Sequence, residues 1–315
     1  MKRLSIVNLL IIFCLTMILG GCDYGKTTPK APEQVAYEVQ DYQGNSVKLA
    51  GKPQKIVSMS LGTDEILLSL VTPGRLAALT YLADDIELSN VADKSQQVLG
   101  RVKSNLESVI ALKPDLVIMA DWQPIELIKS IKDAGIAVYV YKTPSTIEEI
   151  KNVINELAIL LGEEAKGTEI LAKMDKELSD VTAKVKNIPQ DKKQIVIRYT
   201  SMGAIYGGGS LFDDMCKYAG VENGVSKAGG TAFDYLPKEK VIAVNPDIFI
   251  LPAWDFVGKT DANKFKKDVQ NDPAFQSLSA VKNSKLIMIS EKNVSTASQY
   301  ITVGVKDIAM AAYPE

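Results

Sequence analysis

The 315-residue sequence predicts an α/β protein: two Rossmann-like lobes joined by a long α-helix, with a ligand cleft between the lobes. Three observations predict it. Short apolar strands alternate with amphipathic helices up to about residue 144, and again from about residue 189, the rhythm of βαβ units in largely parallel sheets. Between these stretches, from Ser145 to about Lys186, the pattern is helical throughout. One passage is also written twice: NLESVIALKPDLVIMADW, Asn105 to Trp122, returns as PKEKVIAVNPDIFILPAW, Pro237 to Trp254. Aligning Leu106–Met119 with Lys238–Leu251 gives seven identities in fourteen, at an offset of 132. They are Glu107/Glu239, Val109/Val241, Ile110/Ile242, Ala111/Ala243, Pro114/Pro246, Asp115/Asp247 and Ile118/Ile250. The same offset relates Trp122 and Trp254, the only two tryptophans. A long-period repeat occurring twice does not make a solenoid. It makes two similar lobes, and ligands of open α/β sheets bind outside the carboxyl ends of the strands. Trp122 and Trp254 are therefore expected on opposite walls of one cleft.

The ends follow from composition. Met1-Lys2-Arg3 is basic, Leu9–Leu19 is apolar, and Leu19-Gly20-Gly21-Cys22 closes the run with small residues. This reads as a secretory signal over 1–21, too short and wrongly flanked for a permanent span. Leu-Gly-Gly-Cys resembles a bacterial lipobox, which implies a lipid on Cys22 as the first mature residue. Residues 22–35 are polar and proline-containing, a tether with no core of its own. The first lobe is expected over 36–144, a linker helix over 145–188 and the second lobe over 189–315.

Composition also excludes function classes. Without Lys2 and Arg3, 34 basic residues face 38 acidic ones, a net charge of −4 with no basic field for nucleic acid. Histidine is absent, which removes Ser-His-Asp and Cys-His catalysis and His-based zinc and haem ligation. No nucleophile–base pair or metal-ligand cluster stands out, so no enzyme, no cofactor and no directly bound metal are expected. Cys14 leaves with the signal and Cys22 is acylated, leaving Cys216 without a disulfide partner.

Along the mature chain, 36–49 alternates around Gln43-Gly44-Asn45, a hairpin. Lys55–Ser60 is a strand, followed by a helix to Leu70 with Thr63 or Asp64 as its cap. Leu76–Tyr81 and Ile136–Tyr141 are strands, and Pro124–Ala134 is a helix. Ser145-Thr146-Ile147-Glu148 fits a capping box. The apolar stripe that follows (Ile147, Ile150, Ile154, Leu157, Leu161) is interrupted at Gly162 and resumes to Val185, read as one linker helix spanning both lobes. Gln194–Tyr199 opens the second lobe. Gly207-Gly208-Gly209 before the helix Leu211–Ala219 lacks the P-loop pattern and reads as a tight turn. Leu286–Ser290 is a late strand and Ile301–Ala312 the last helix.

With the lipobox, Lys55-Ile56-Val57-Ser58, Asn105-Leu106-Glu107 with Leu112-Lys113-Pro114-Asp115, the long helical connection, and Lys238-Glu239 with Asn245-Pro246-Asp247, residues 54–312 resemble one family. It is the substrate-binding lipoproteins of ABC importers for iron-siderophores and vitamin B12. The resemblance implies a monomer, lipid-anchored at the outer face of the cytoplasmic membrane, that delivers its ligand to a permease dimer with its ATPase. It implies that Glu107 and Glu239 dock the permease. Paired exposed acids at equivalent places suit a two-fold partner and can accept paired hydrogen bonds from arginine.

Strand ends supply the candidate ligand residues: Met59, Ser60, Tyr81, Arg101, Trp122, Tyr199, Phe233, Tyr235, Trp254, Ser298 and Tyr300. Aromatics in this arrangement suit a large, partly planar ligand. Arg101 stands where siderophore-binding relatives carry an arginine on chelate oxygens, which implies a ferric siderophore (an iron chelate) as the ligand. A cobalamin or haem receptor is the alternative; it requires an aromatic slot and no Arg101.

Overall fold

The computed structural model describes residues 37–253 and 261–314. The signal segment, the tether with Cys22, and Trp254 lie outside the described residues. The chain opens with the expected antiparallel hairpin, β1 (Tyr37–Gln40) and β2 (Ser46–Leu49). Its turn is held by Asp41, whose Oδ1 accepts the Gln43 and Asn45 amides at 3.0 and 2.8 Å. The first lobe then runs β3 (Ile56–Ser58), α1 (Leu61–Leu70), β4 (Leu76–Thr80), α2 (Ala92–Ser95), β5 (Arg101–Val102), α3 (Leu106–Ala111), β6 (Leu116–Ala120), α4 (Ile125–Asp133) and β7 (Ala137–Tyr141). All five sheet strands are parallel, in the order β5-β4-β3-β6-β7. Helices cover both faces, so central β6 is buried at every residue, which is why it reads as an unbroken apolar run.

Two helices follow, α5 (Ile147–Leu161) and α6 (Glu164–Val185). The single linker helix expected over 145–188 is thus corrected: Gly162 takes a left-handed φ of 66° as the C-cap of α5, and the chain folds back. Antiparallel packing follows from the contacts, because a Cβ on Gly167 would meet Ala158 and Lys151 pairs with Asp175 at 2.7 Å. The apolar stripe reads through the break because both helices bury a face in one core. Each fully buried Leu or Ile there contributes roughly 1.5–3 kcal/mol. The 22-residue α6 still joins the lobes. At its start Lys166 bonds the Leu70 carbonyl of the first lobe, and at its end Val185 packs against Gly220 of the second. At 1.5 Å per residue it is about 33 Å long. The cap of α5 is Thr146 rather than Ser145, with Glu149 reaching back to the Ser145 amide and hydroxyl at 2.7 and 2.8 Å.

The second lobe comprises β8 (Ile195–Thr200), β9 (Gly203–Ile205), α7 (Leu211–Tyr218), β10 (Glu222–Asn223), α8 (Gly224–Lys227), α9 (Lys238–Val244), β11 (Ile248–Pro252), α10 (Ala262–Asn271), α11 (Ser279–Lys282), β12 (Leu286–Ile289), α12 (Glu291–Val294) and α13 (Ile301–Ala312). Strands β10-β8-β11-β12 are parallel and β9 returns antiparallel on β8. The sequence repeat is a structural one. Asp115 accepts the Lys55 amide entering β3 at 3.0 Å, and Asp247 accepts the Ile195 amide entering β8 at 2.8 Å. Each Pro-Asp pair therefore ties the strand after it to its parallel neighbour.

Segments leaving the carboxyl ends of the two sheets touch one another. Residues 86–90, after β4, meet 292–298, after β12: Asn90 Nδ2 donates to the Lys292 carbonyl at 2.7 Å, and the Lys292 amide donates to the Glu87 carbonyl at 3.3 Å. The carboxyl ends of both sheets therefore face a common cleft, closed on this side by a lobe-to-lobe seam.

Candidate functional site

Two turns project aromatic rings from the first lobe. After β6, Asp121 accepts the Thr143 amide and hydroxyl, and Gln123 donates from Nε2 to the Met59 carbonyl at 2.6 Å. Pinned on both flanks, the turn leaves Trp122 63% exposed. After β4, the Thr80 amide and hydroxyl are bound by buried Asp64, and the next residue, Tyr81, stands 67% exposed. In the second lobe, Asp234 accepts the Thr231 amide at 2.7 Å and shapes a turn that leaves Phe233 91% and Tyr235 58% exposed. The Tyr235 hydroxyl reaches the sulfur of exposed Met202, at the β8–β9 turn, at 3.8 Å. Sequence reasoning missed Met202; a methionine flanked by small residues in a strand-to-strand turn is its only signal. These are large, partly apolar side chains left in water at strand ends.

Other candidate residues are buried or bonded within the fold. Tyr199 is a core residue: its ring lies 5.4 Å from those of both Phe249 and Phe275, and it stacks on Phe265 at 6.3 Å. Met59 is buried in the first-lobe core. Ser60 is the N-cap of α1 in place of Thr63 or Asp64, and its hydroxyl bonds those of Thr63 and Tyr141, both at 2.8 Å. Tyr300 is half-buried against the large core, at the start of α13. The glycines at 207–208 pack backbone to backbone on residues 230–231, with the Gly207 amide donating to Thr231 and that of Gly208 to Gly230. A Cβ on Gly207 would overlap the Gly230 carbonyl, which explains the glycine.

Arg101 is bonded within the first lobe. Its Nε and Nη2 grip the Asp84 carboxylate, Nη1 donates to the Val98 and Gly100 carbonyls, and Nη2 also donates to the Ser95 carbonyl at 3.0 Å. All five N–H donors of a guanidinium are thereby used. The Arg101 bonds hold the Asp84 carboxyl below the usual range. The other described arginines are also occupied: Arg75 by Glu163 and the Pro53 and Leu161 carbonyls, and Arg198 by Glu291 and Ser295 under the Tyr206 ring.

Ser298 is fully buried in the seam and donates to Glu65 of α1. Glu65 also accepts the Asn90 amide and side chain at 2.7 and 3.1 Å, while Gln299 donates to the Glu65 carbonyl and the Ser69 hydroxyl. Burial pushes the Glu65 carboxyl up to about 7, and that of neighbouring Asp64 likewise to about 7.

Glu107 and Glu239 are exposed in the first turns of α3 and α9, and Glu239 lies within reach of the charge of Lys238. No group of three or more metal-ligating side chains occurs among the described residues.

Two parallel α/β lobes bridged by helices are the architecture of a two-lobed binding protein. The family model described as periplasmic binding protein matches residues 56–292, and the chain belongs to that family. It is the extracytoplasmic substrate-binding protein of an ABC importer, working with a permease and an ATPase, and is not an enzyme. It is 25% identical over 310 residues to the ABC transporter substrate-binding lipoprotein YvrC of Bacillus subtilis, covering 95% of this chain and 94% of that protein. The iron-uptake system-binding protein of the same organism is 25% identical over 301 residues, covering 92% of each. The structure of the molybdate-binding protein MolA of Haemophilus influenzae shares the fold, with a TM-score of 0.73 and 19% identity over 88% of this chain and 91% of that one.

Proposed function

We propose that the cleft captures a corrinoid such as cobalamin, a large macrocycle fringed with neutral amides. The observation that carries this reading is the occupancy of every described arginine by the protein itself, beside four exposed aromatic rings on two facing lobes. Rings of this kind stack on a broad apolar ligand and need no guanidinium. An anionic ferric chelate draws its affinity from cationic donors, and haem brings two propionates that ask for the same. A ferric siderophore stands as the second reading, favoured by likeness to the iron-uptake protein over nearly the whole chain. Calorimetric titration with cyanocobalamin, haemin and ferric hydroxamate and catecholate siderophores separates them. Cobalamin binding that Trp122→Ala and Tyr235→Ala each weaken about tenfold, a difference of about 1.4 kcal/mol, supports the first; binding of a siderophore alone supports the second.

The same proposal places the protein in the cell envelope, secreted through residues 1–21 and held by a lipid on Cys22 through the 22–35 tether. Two lobes, 36–144 and 189–315, are bridged by the helical hairpin, and Glu107 and Glu239 engage one permease subunit each. The double variant Glu107→Ala/Glu239→Ala is expected to abolish uptake and leave ligand affinity unchanged; normal uptake would overturn the docking roles.

A further inference from the structure

Away from the helical hairpin the lobes meet through one strap, residues 291–299, which runs from the end of β12 through α12 to α13. The strap is fixed to the second lobe. Buried Glu291 is paired with Arg198 of β8, Arg198 also donates to Ser295, and the Asn293 side chain donates to Asp307 of α13 at 2.7 Å. A Cβ on Gly304 would overlap the Asn293 carbonyl. Its hold on the first lobe is a row of hydrogen bonds. Besides the two Lys292 backbone bonds to Glu87 and Asn90, the Ser298 hydroxyl donates to the Glu65 carboxyl. Gln299 Nε2 donates to the Glu65 carbonyl and the Ser69 hydroxyl at 2.9 and 3.0 Å. The Ala297 carbonyl lies so close to α1 that a Cβ on Gly62 would stand 2.9 Å from it.

The centre of this contact is costly while shut. Glu65 and Ser298 are fully buried, and the partners of the Glu65 carboxyl are neutral: the Asn90 amide and side chain and the Ser298 hydroxyl. The charged groups facing it are Asp64 on its own helix and Lys292 on the strap, whose Nζ is turned to the Ile86 carbonyl at 3.4 Å. A buried charge without a close counter-charge is disfavoured, so burial favours the protonated carboxyl. Gln299 Oε1 is also buried and takes no hydrogen bond from the described residues. The seam reaches the cleft as well. Consecutive residues of α1 hold the two ends of segment 80–90, Asp64 binding the amide and hydroxyl of Thr80 and Glu65 the amide and side chain of Asn90. Tyr81, exposed at the rim, stands within that span. We propose that the strap is a proton-keyed latch: with Glu65 protonated it stays seated on α1 and holds the lobes together, and with Glu65 charged it lifts, parting the lobes and freeing the Tyr81 side of the cleft. Protonation keeps the bond to Ser298, with donor and acceptor exchanged. A carboxylate regains its hydration only when the seam opens to water. The latch acts on the cleft whichever ligand fills it.

The test measures the distance between the lobes in the full chain without ligand. Spin labels on ketone-bearing residues replace exposed Lys129 of α4 and exposed Lys267 of α10, and double electron–electron resonance reads their separation. One narrow distance at about pH 5.5 and a second, longer population at about pH 8.5 are expected, on either side of the folded value of Glu65. Glu65→Gln is expected to keep the narrow distance at both. Gly62→Ala favours the α1 helix yet wedges a methyl against the Ala297 carbonyl, and is expected to show the longer population already at about pH 5.5. One unchanged distance at both pH values in the parent and in Gly62→Ala would overturn the latch, as would a pH response in Glu65→Gln equal to that of the parent. With cyanocobalamin as probe, dissociation from the parent is expected to be about tenfold faster at the higher pH and to lose that dependence in Glu65→Gln. A dissociation rate indifferent to pH would overturn the latch's hold on the ligand. Failure of cyanocobalamin to bind at all would remove the corrinoid reading, and the distances alone would then decide the latch.

Discussion

Lys113 and Asn245, 132 residues apart, adopt the same left-handed backbone, φ 48°, at the end of equivalent helices and before equivalent Pro-Asp pairs. The conformation bends each chain so that the aspartate can reach its neighbouring strand, and a residue with a Cβ holds it against a cost of about 1–2 kcal/mol. Lys113→Gly is therefore expected to be neutral or to stabilise by up to about 1 kcal/mol, part of the relief being offset by the greater freedom of an unfolded glycine. Urea denaturation measures it; a loss above 1 kcal/mol would contradict the account.

Removing the aspartate should do the reverse. Asp115 accepts the Gln54 and Lys55 amides at 2.6 and 3.0 Å, so Asp115→Ala leaves the start of β3 untied. A loss of about 1–3 kcal/mol is expected in the same assay, since hydrogen bonds to a charged acceptor are worth about that much.

Arg101 is expected to matter for the fold and not for the ligand. Arg101→Ala should lower the melting temperature by freeing the segment 84–100 from β5, while the folded variant keeps the affinity of the parent for its ligand. A fall in affinity with unchanged melting would return the residue to the ligand site. Because Arg101 depresses the Asp84 carboxyl, the pair's contribution is present above the ordinary carboxylate range and lost as pH falls through the depressed value.

The seam carries the opposite dependence. Glu65 is raised from 4.5 to about 7 by burial, faced by Asp64 from its own helix and by Lys292, Asn90 and Ser298 from the elements packed on it. A raised acid contributes stability that is complete below its unfolded pKa and is lost as pH rises through its folded one. Melting temperature should therefore decline from about pH 4.5 to about pH 7 and level off above it, and Glu65→Gln should flatten that decline, leaving the part due to Asp64. An identical slope in the variant would contradict the role given to Glu65.

Much of the architecture was legible because it is written in apolar runs. Strands such as Leu116–Ala120, buried on both faces, show as unbroken hydrophobic stretches, and the repeat spells out the two-lobed plan. The break at Gly162 was harder to read, since α5 and α6 bury their stripes in the same core and the pattern continues across the turn. The Arg101–Asp84 pair was not legible, because the two residues lie 17 apart in a segment without periodicity. The burial of Tyr199 was not legible, because both faces of β8 are covered and Arg198 beside it is buried too. Trp122, Tyr81, Phe233 and Tyr235 were legible as aromatics at strand ends, where a chain stabilised only by packing has little reason to place them.

The central claim is that the aromatic rims of the two lobes hold one corrinoid. Titrating cyanocobalamin into the soluble chain while following tryptophan emission tests it most directly. The account predicts saturable quenching at one equivalent, reduced in Trp122→Phe and unchanged in Arg101→Ala. No quenching by cobalamin, together with saturable quenching by a ferric siderophore that Arg101→Ala abolishes, would contradict it.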